Sequence, residues 1–269
     1  MTLRLLGGEV SLRKWSKYHL YGCVGAFPYF GFQVYFPSRC TAFRRACAEG
    51  VFEAENVRAL QLLCRPGSYM FDVGANLGLM ALPVLRSVPD SRVISFEPSP
   101  NALPWLRKTV ARSSIEDRWQ LVDKAVSCAP GITRFSVSAV TEGLYDGLLH
   151  TRRTDEARKV EVEVTTLDLE WERLGRPDLS VIKIDVEGGE LDVLRGGQTC
   201  LSHARPFVLT EWCSLNLKAY GIPNESLFRF VREHGYLLYA LPQMIPVTSC
   251  ADLNLQMMRT ESFLLTPRP

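Results

Sequence analysis

Asp72, Gly74, Asn76 and Gly78 fall in one stretch, Phe71-Asp72-Val73-Gly74-Ala75-Asn76-Leu77-Gly78, and Glu97 follows in Phe96-Glu97-Pro98. Each stretch closes a short apolar run, residues 69–73 before Gly74 and residues 92–96 before Glu97. Glycine at 74 and 78 permits a sharp turn and a close backbone approach to a ligand. A carboxylate at the end of the next strand can accept hydrogen bonds from both hydroxyls of a ribose. The two stretches predict adjacent strand ends that grip one nucleoside-containing cofactor.

The spacing says which cofactor to expect. Dinucleotides bring a pyrophosphate to a helix N-terminus opened by G-x-G-x-x-G, whereas this chain has Gly74-x-x-x-Gly78 with Asp72 before the turn. A carboxylate there repels a pyrophosphate but suits an ammonium and a sulfonium, so S-adenosylmethionine is the expected cofactor. Asp72 is expected to hold its methionine ammonium, directly or through water, with Gly74, Asn76 and Gly78 at the turn and Glu97 on the ribose. Helix capping is the structural alternative for Asp72 and Asn76. Asp123 follows a third apolar run and is a candidate for the adenine amino group, or else an exposed turn carboxylate.

A second group of acids lies further on. Asp185 and Glu187 follow the apolar run 181–184, and Glu211 follows the run 206–210. Carboxylates at such strand ends can orient a substrate, take a proton from a hydroxyl, or hold a divalent cation through oxygen. No histidine-rich ligand set accompanies them, so no metal site is assigned. His150, in a glycine- and acid-containing stretch with Gly143, Asp146 and Gly147, is the candidate histidine base, a solvated loop side chain being the alternative. Trp212 either lines the substrate pocket or packs beneath it, and Glu190, three residues past Glu187 on the same helix face, either joins the acid cluster or makes a surface salt bridge.

These residues need an α/β frame. Residues 53–63, 77–84 and 102–111 read as helices between strands at 69–73, 92–96 and 120–126, the wiring of a parallel sheet with right-handed crossovers. Residues 132–137 and 160–165 alternate with period two, as antiparallel strands with one wet face do. They frame a hairpin insertion at about 131–166 whose loop is placed to fold over the cofactor. Strands at 181–185 and 206–210, a helix at 187–194 closed by Gly196-Gly197, a helix at 226–234 and strands near 236–241 and 262–265 complete the chain. Residues 1–50 read as an aromatic extension packed on a main domain at 51–269.

Composition is that of a soluble enzyme: 269 residues, 46% hydrophobic, with a net charge of +2. Such a balance gives no general pull toward nucleic acid; only Arg152, Arg153, Arg158 and Lys159 form a local basic cluster. Eight cysteines without a Cys-x-x-Cys pair suggest reduced thiols and a cytoplasmic protein. The uncharged stretch 20–38 is interrupted by Gly22, Gly25, Pro28, Gly31 and Gln33, so no membrane span is expected.

With these motifs the chain resembles the FkbM-type S-adenosylmethionine-dependent methyltransferases. The likeness rests on residues 72–78, on Phe96-Glu97-Pro98, on Thr165-Thr166-Leu167-Asp168, and on Lys183-Ile184-Asp185-Val186-Glu187-Gly188-Gly189-Glu190 continuing to Leu194-Arg195-Gly196. It spans about residues 50–215. It implies a class I methyltransferase Rossmann-like fold: a seven-stranded, mostly parallel sheet, helices on both faces, and an antiparallel last hairpin. It also places Phe52-Glu53 where a Tyr-Glu pair often precedes the first motif, adding Glu53 to the cofactor-binding candidates. Gly189 stands where alanine is more usual. The implied activity is O-methylation, here expected on a hydroxyl of a small-molecule or sugar-containing metabolite. The rivals are a methyltransferase for RNA or protein, a catalytically silent binding module and, more distantly, a dehydrogenase.

Overall fold

Met70, Val93, Val181 and Leu209 turn into one apolar cluster, while Phe71, Val73, Ile94, Phe96, Ile182, Ile184 and Val208 turn into another. Successive side chains of a strand point to opposite faces, so this division builds a sheet covered on both sides. A computed structural model describes residues 2–5, 8–11, 19–37, 40–138, 146–149 and 157–268. Among them, β1 (Thr2–Leu5) pairs antiparallel with β2 (Gly8–Ser11), and β3 (Ala26–Tyr29) with β4 (Phe32–Tyr35).

The main sheet contains β5 (Tyr69–Val73), β6 (Arg92–Phe96), β7 (Trp119–Val122), β11 (Leu179–Ile184), β12 (Phe207–Glu211), β13 (Tyr236–Ala240), β14 (Ile245–Val247) and β15 (Ser262–Pro267). Its order is β14-β13-β15-β12-β11-β5-β6-β7. The five strands from β12 to β7 are parallel, and β15 runs antiparallel between β12 and β13. This is the expected mostly parallel sheet with an antiparallel last hairpin, but with eight strands rather than seven. The extra strand, β14, has three residues with Pro246 at its centre, too few for an alternation to register.

Helices Thr41–Glu49, Ala54–Leu63, Ala81–Ser87 and Leu103–Ala111 contribute to one face. Leu167–Arg173, Glu190–Arg195, Gln198–His203 and Ser226–Glu233 contribute to the other. Two helices start later than their spacing suggests. Asn76 and Gly78 have positive φ, as do Glu187 and Gly188, and left-handed residues cannot begin a right-handed helix. Residues 125–126 do not extend the third core strand. As β8 (Ala125–Val126) they join β9 (Gly131–Ser138) and β10 (Ala157–Thr165) in a separate sheet of order β8-β10-β9.

Phe27 and Phe36 pack with Phe43, Leu60 and Leu82 in the cluster containing Met70. Phe36 stacks on Phe43 with ring centroids 4.0 Å apart. Tyr35 N donates to Thr109 Oγ1 at 3.1 Å, tying β4 to helix Leu103–Ala111. No helix among the described residues is long and apolar enough to cross a membrane.

Candidate active site

Strands β5, β6, β11 and β12 end beside one cavity of about 750 Å³, within the size range of small-molecule sites. The turn after β5 is held by Glu97, whose carboxylate accepts the Asn76 N–H at 2.7 Å and the Ser99 N–H at 2.8 Å. Glu97 is buried yet lines the cavity. Burial pushes its pKa up to about 7, against the lowering effect of the two N–H donors and with a further push from Asp146. Gly74 and Asn76 also line the cavity; Gly78 is not among its lining residues.

Packing supplies the reason for both glycines. A Cβ on Gly74 would lie 1.8 Å from the Asp185 carbonyl oxygen, and one on Gly78 would lie 2.6 Å from the Trp119 ring. Gly74 thus approaches the backbone at the end of β11, whereas Gly78 packs against the Trp119 and Leu106 side chains beneath the site.

Asp72 is displaced from its expected role by Lys183. The register of β5 on β11 sets the two residues side by side, and Asp72 is fully buried outside the cavity lining. Lys183 lies between it and the cavity, with Nζ donating to the Gly74 carbonyl at 2.7 Å. The same Nζ is 3.7 Å from Asp72 and 3.4 Å from Asp185. Burial lowers the Lys183 pKa, but Asp185, Asp72 and Glu53 together outweigh it and leave the pKa raised. Burial raises that of Asp72, with Lys183 opposing. In sequence Lys183 shows as a charge within an apolar run and as the first residue of the Lys183–Glu190 motif, but its place beside Asp72 comes only from the strand register.

Asp185, Glu187 and Glu211 come together as expected, with carboxylate oxygens within 4.8 Å of one another. Asn216, on helix Ser214–Tyr220, was not anticipated; its Nδ2 donates to Glu187 at 3.0 Å and to Glu211 at 3.2 Å. Burial raises the Glu211 pKa well above the carboxylate range, helped by repulsion from Asp185 and Glu187. Oxygen ligands so placed can hold a divalent cation or share a proton. Glu190 is no surface residue. It is buried, and its Oε1 accepts the N–H groups of Val186 at 3.2 Å and Gly188 at 3.0 Å, fixing the turn that carries Glu187.

The remaining candidates divide. Glu53 lines the cavity, accepting from Asn56 at 3.1 Å and pairing with Arg45 at 3.4 Å; burial and then Asp185 raise its pKa. Asp123 is an exposed ion-pair partner of Arg107 at 2.7 Å and is absent from the lining, so the adenine role does not fit it. Trp212 packs beneath the site, with Nε1 donating to the Asn224 carbonyl at 2.8 Å. His150, Gly143, Arg152 and Arg153 lie outside the described residues. The Thr165–Asp168 motif is structural: Thr166 caps helix Leu167–Arg173, and Asp168 accepts the N–H groups of Thr199 and Cys200.

The arrangement is an acidic cavity between two carboxylate stations, Glu97 at the β6 end and the trio at the β11 and β12 ends. A family model for the Methyltransferase FkbM domain matches residues 72–238. The chain belongs to the FkbM methyltransferase family. This FkbM-family chain is 27% identical over 180 residues to 2-O-methyltransferase NoeI of Sinorhizobium fredii (strain NBRC 101917 / NGR234), covering 62% of this chain and 72% of NoeI. It is 30% identical over 159 residues to 31-O-demethyl-FK506 methyltransferase FkbM of Streptomyces tacrolimicus, covering 49% of this chain and 60% of that relative. Methyltransferase sdnD of Sordaria araneosa is 27% identical over 154 residues, with 48% of this chain and 60% of sdnD covered. The chain thus spans less than two thirds of the length of the latter two relatives. The crystal structure of methyltransferase FkbM from Methylobacillus flagellatus KT overlaps 94% of this chain and 59% of its own, at 13% identity and a TM-score of 0.45. The family span contains Lys183, Glu187, Glu211 and Asn216, and ends within β13, before the cavity wall formed by residues 257–262.

Proposed function

We propose that the chain is an S-adenosylmethionine-dependent O-methyltransferase acting on a hydroxyl of a small-molecule or sugar-containing metabolite. The observation that carries this reading is the charge of the cavity. Glu53, Glu97, Asp146, Asp185, Glu187, Glu211 and Glu261 line it against Arg45, Lys124, Lys183 and Arg259. Of these cations, Lys124 is bound to Glu163, Arg45 to Glu49 and Glu53, and Lys183 to Asp72 and Asp185. An acid surplus suits a cofactor with an ammonium and a sulfonium and disfavours a pyrophosphate.

In this reading Glu97 accepts the ribose hydroxyls. Lys183 faces the carboxylate of the amino-acid tail, while Glu53 and Asp185 face its ammonium. Bound there, S-adenosylmethionine supplies an electrophilic methyl carbon. Glu187 and Glu211, oriented by Asn216, hold the acceptor hydroxyl and take its proton, a contribution of roughly 10²–10⁴ in rate for a placed base. Alignment of acceptor oxygen with the methyl carbon is the larger part, worth roughly 7–11 kcal/mol in the best oriented systems. No metal is required by this scheme.

The O-methyltransferase names of NoeI and FkbM support a hydroxyl acceptor. Residues 51–269 constitute the methyltransferase unit in this proposal, with 131–166 inserted into it, and the cysteine content favours a reducing cytoplasm. The test is transfer of labelled methyl from S-adenosylmethionine to a panel of hydroxyl compounds, with RNA and protein as alternative acceptors. Label on a hydroxyl compound is expected. Label confined to RNA or protein, or none on any acceptor, overturns the proposal.

A further inference from the structure

Residues 146–149 run beside the cavity, which Asp146 and Leu148 line, and are tied at both ends. At one end the buried Asp146 carboxylate accepts the Ser138 N–H at 2.7 Å, the Asn101 side-chain amide at 3.1 Å and the Ser99 hydroxyl. Ser99 in turn donates its N–H to Glu97. At the other end the Leu149 N–H donates to the Tyr220 hydroxyl at 3.0 Å. The Tyr220 ring lies so close over Gly188 that a Cβ there would be 2.6 Å from it.

The middle of the segment is equally constrained. Gly147 and Ser136 exchange two backbone hydrogen bonds, at 2.7 and 3.1 Å. A Cβ on Gly147 would lie 3.2 Å from Cβ of Glu187, so the backbone lies directly against that residue. Leu148, the next residue, lines the cavity. Tyr220 shares helix Ser214–Tyr220 with Asn216, so one short helix aims the Glu187 carboxylate and anchors the segment beside it.

We infer that residues 146–149 form the acceptor-selecting wall of the cavity, with Leu148 limiting acceptor bulk beside Glu187 and Tyr220 acting as the positioning residue that sets the wall. The inference rests on the proposed methyltransferase reading for where the acceptor lies. Asp146 anchors the end nearest Glu97, and Tyr220 the end nearest the carboxylate trio. The two ends therefore have separable effects: loosening the Tyr220 end changes which acceptors fit and leaves donor binding unchanged.

The experiment compares the full chain with Tyr220→Phe and Leu148→Ala by amide hydrogen exchange, by calorimetric titration with S-adenosylmethionine, and by competitive methyl uptake among hydroxyl compounds of graded bulk. Tyr220→Phe keeps the ring over Gly188 and removes the acceptor of the Leu149 N–H. A hydrogen bond's contribution corresponds to about a fivefold change, and that acceleration is expected in exchange at Leu149. Donor affinity should stay within about twofold. Both variants should favour bulky acceptors over small ones by about tenfold relative to the parent, the scale of a small apolar change in a pocket. An unchanged preference in Leu148→Ala overturns the inference, as does a Tyr220→Phe variant that weakens donor and every acceptor alike. Absence of donor binding in the parent chain overturns the donor assignment and the inference together, and is read separately from the preference ratio.

Discussion

Lys183 sets the charge balance of the cavity, because one buried ammonium faces Asp72 below it and Asp185 beside it. Removing one member of a buried ion pair costs about 3–5 kcal/mol. Lys183→Met is therefore expected to lower thermal stability by that order and to weaken donor binding, as followed by thermal unfolding and calorimetry. Glu97 makes the pH prediction. Its pKa, pushed up to about 7 by burial, means that the ionised form, which in the proposed function accepts both ribose hydroxyls, is lost as pH falls below about 7. Donor affinity should rise with pH through that point and level off above it, and Glu97→Gln should flatten the profile. The stability sign is opposite. A native pKa above the unfolded one makes this group's contribution full below the ordinary carboxylate range and progressively lost as pH rises toward about 7. The position of Glu97 beside the cavity was legible because a strand-end acid has a fixed place in this kind of sheet. Asp72 was misplaced because nothing near it in sequence announces Lys183, which reaches it only through the register of β11 on β5. Glycine roles were legible in position but not in cause. Gly74→Ala puts a Cβ into the Asp185 carbonyl at positive φ and should abolish folding. Gly189 has φ −86, and the nearest atom to a Cβ would be 3.4 Å away. Gly189→Ala should thus stabilise the chain by about 0.4–1 kcal/mol, measurable by denaturant unfolding.

At the scale of elements, apolar runs and period-two alternation revealed most strands, because burial on one or both faces writes itself directly into the residue order. Besides Thr41–Glu49, Leu167–Arg173 and Gln198–His203, two helices are absent from the sequence reading, Ser214–Tyr220 and Cys250–Met257, each only about two turns long. A signal existed for the second: the Ser249 side chain accepts the Asp252 N–H at 3.0 Å, a capping arrangement visible as Ser249-x-x-Asp252. The first carries Asn216 and Tyr220, so missing it also hid the residues that organise the acid trio. The aromatic segment around β3 and β4 packs on the sheet through Phe27, Phe36 and Phe43. Deleting a buried phenylalanine side chain costs about 3–5 kcal/mol, so Phe43→Ala should cut stability by that amount in equilibrium unfolding, with the fold retained if the parent has the margin.

Across the whole molecule, a net charge of +2 conceals a local excess of carboxylates. Total charge is a property of composition, whereas the imbalance arises because parallel strands bring their final residues to one edge of the sheet. Glu97, Asp185 and Glu211 are distant in sequence and face one cavity because β6, β11 and β12 end there. That convergence underlies the assignment of a cationic donor rather than a dinucleotide. Calorimetric titration of the parent chain and of Glu97→Gln with S-adenosylmethionine, and of the parent with NAD, tests it most directly. The account predicts saturable binding of S-adenosylmethionine, weakened about tenfold or more in Glu97→Gln as hydrogen bonds to a charged group are lost, and no binding of NAD. Binding of NAD alone, or equal affinity of parent and Glu97→Gln for S-adenosylmethionine, would contradict it.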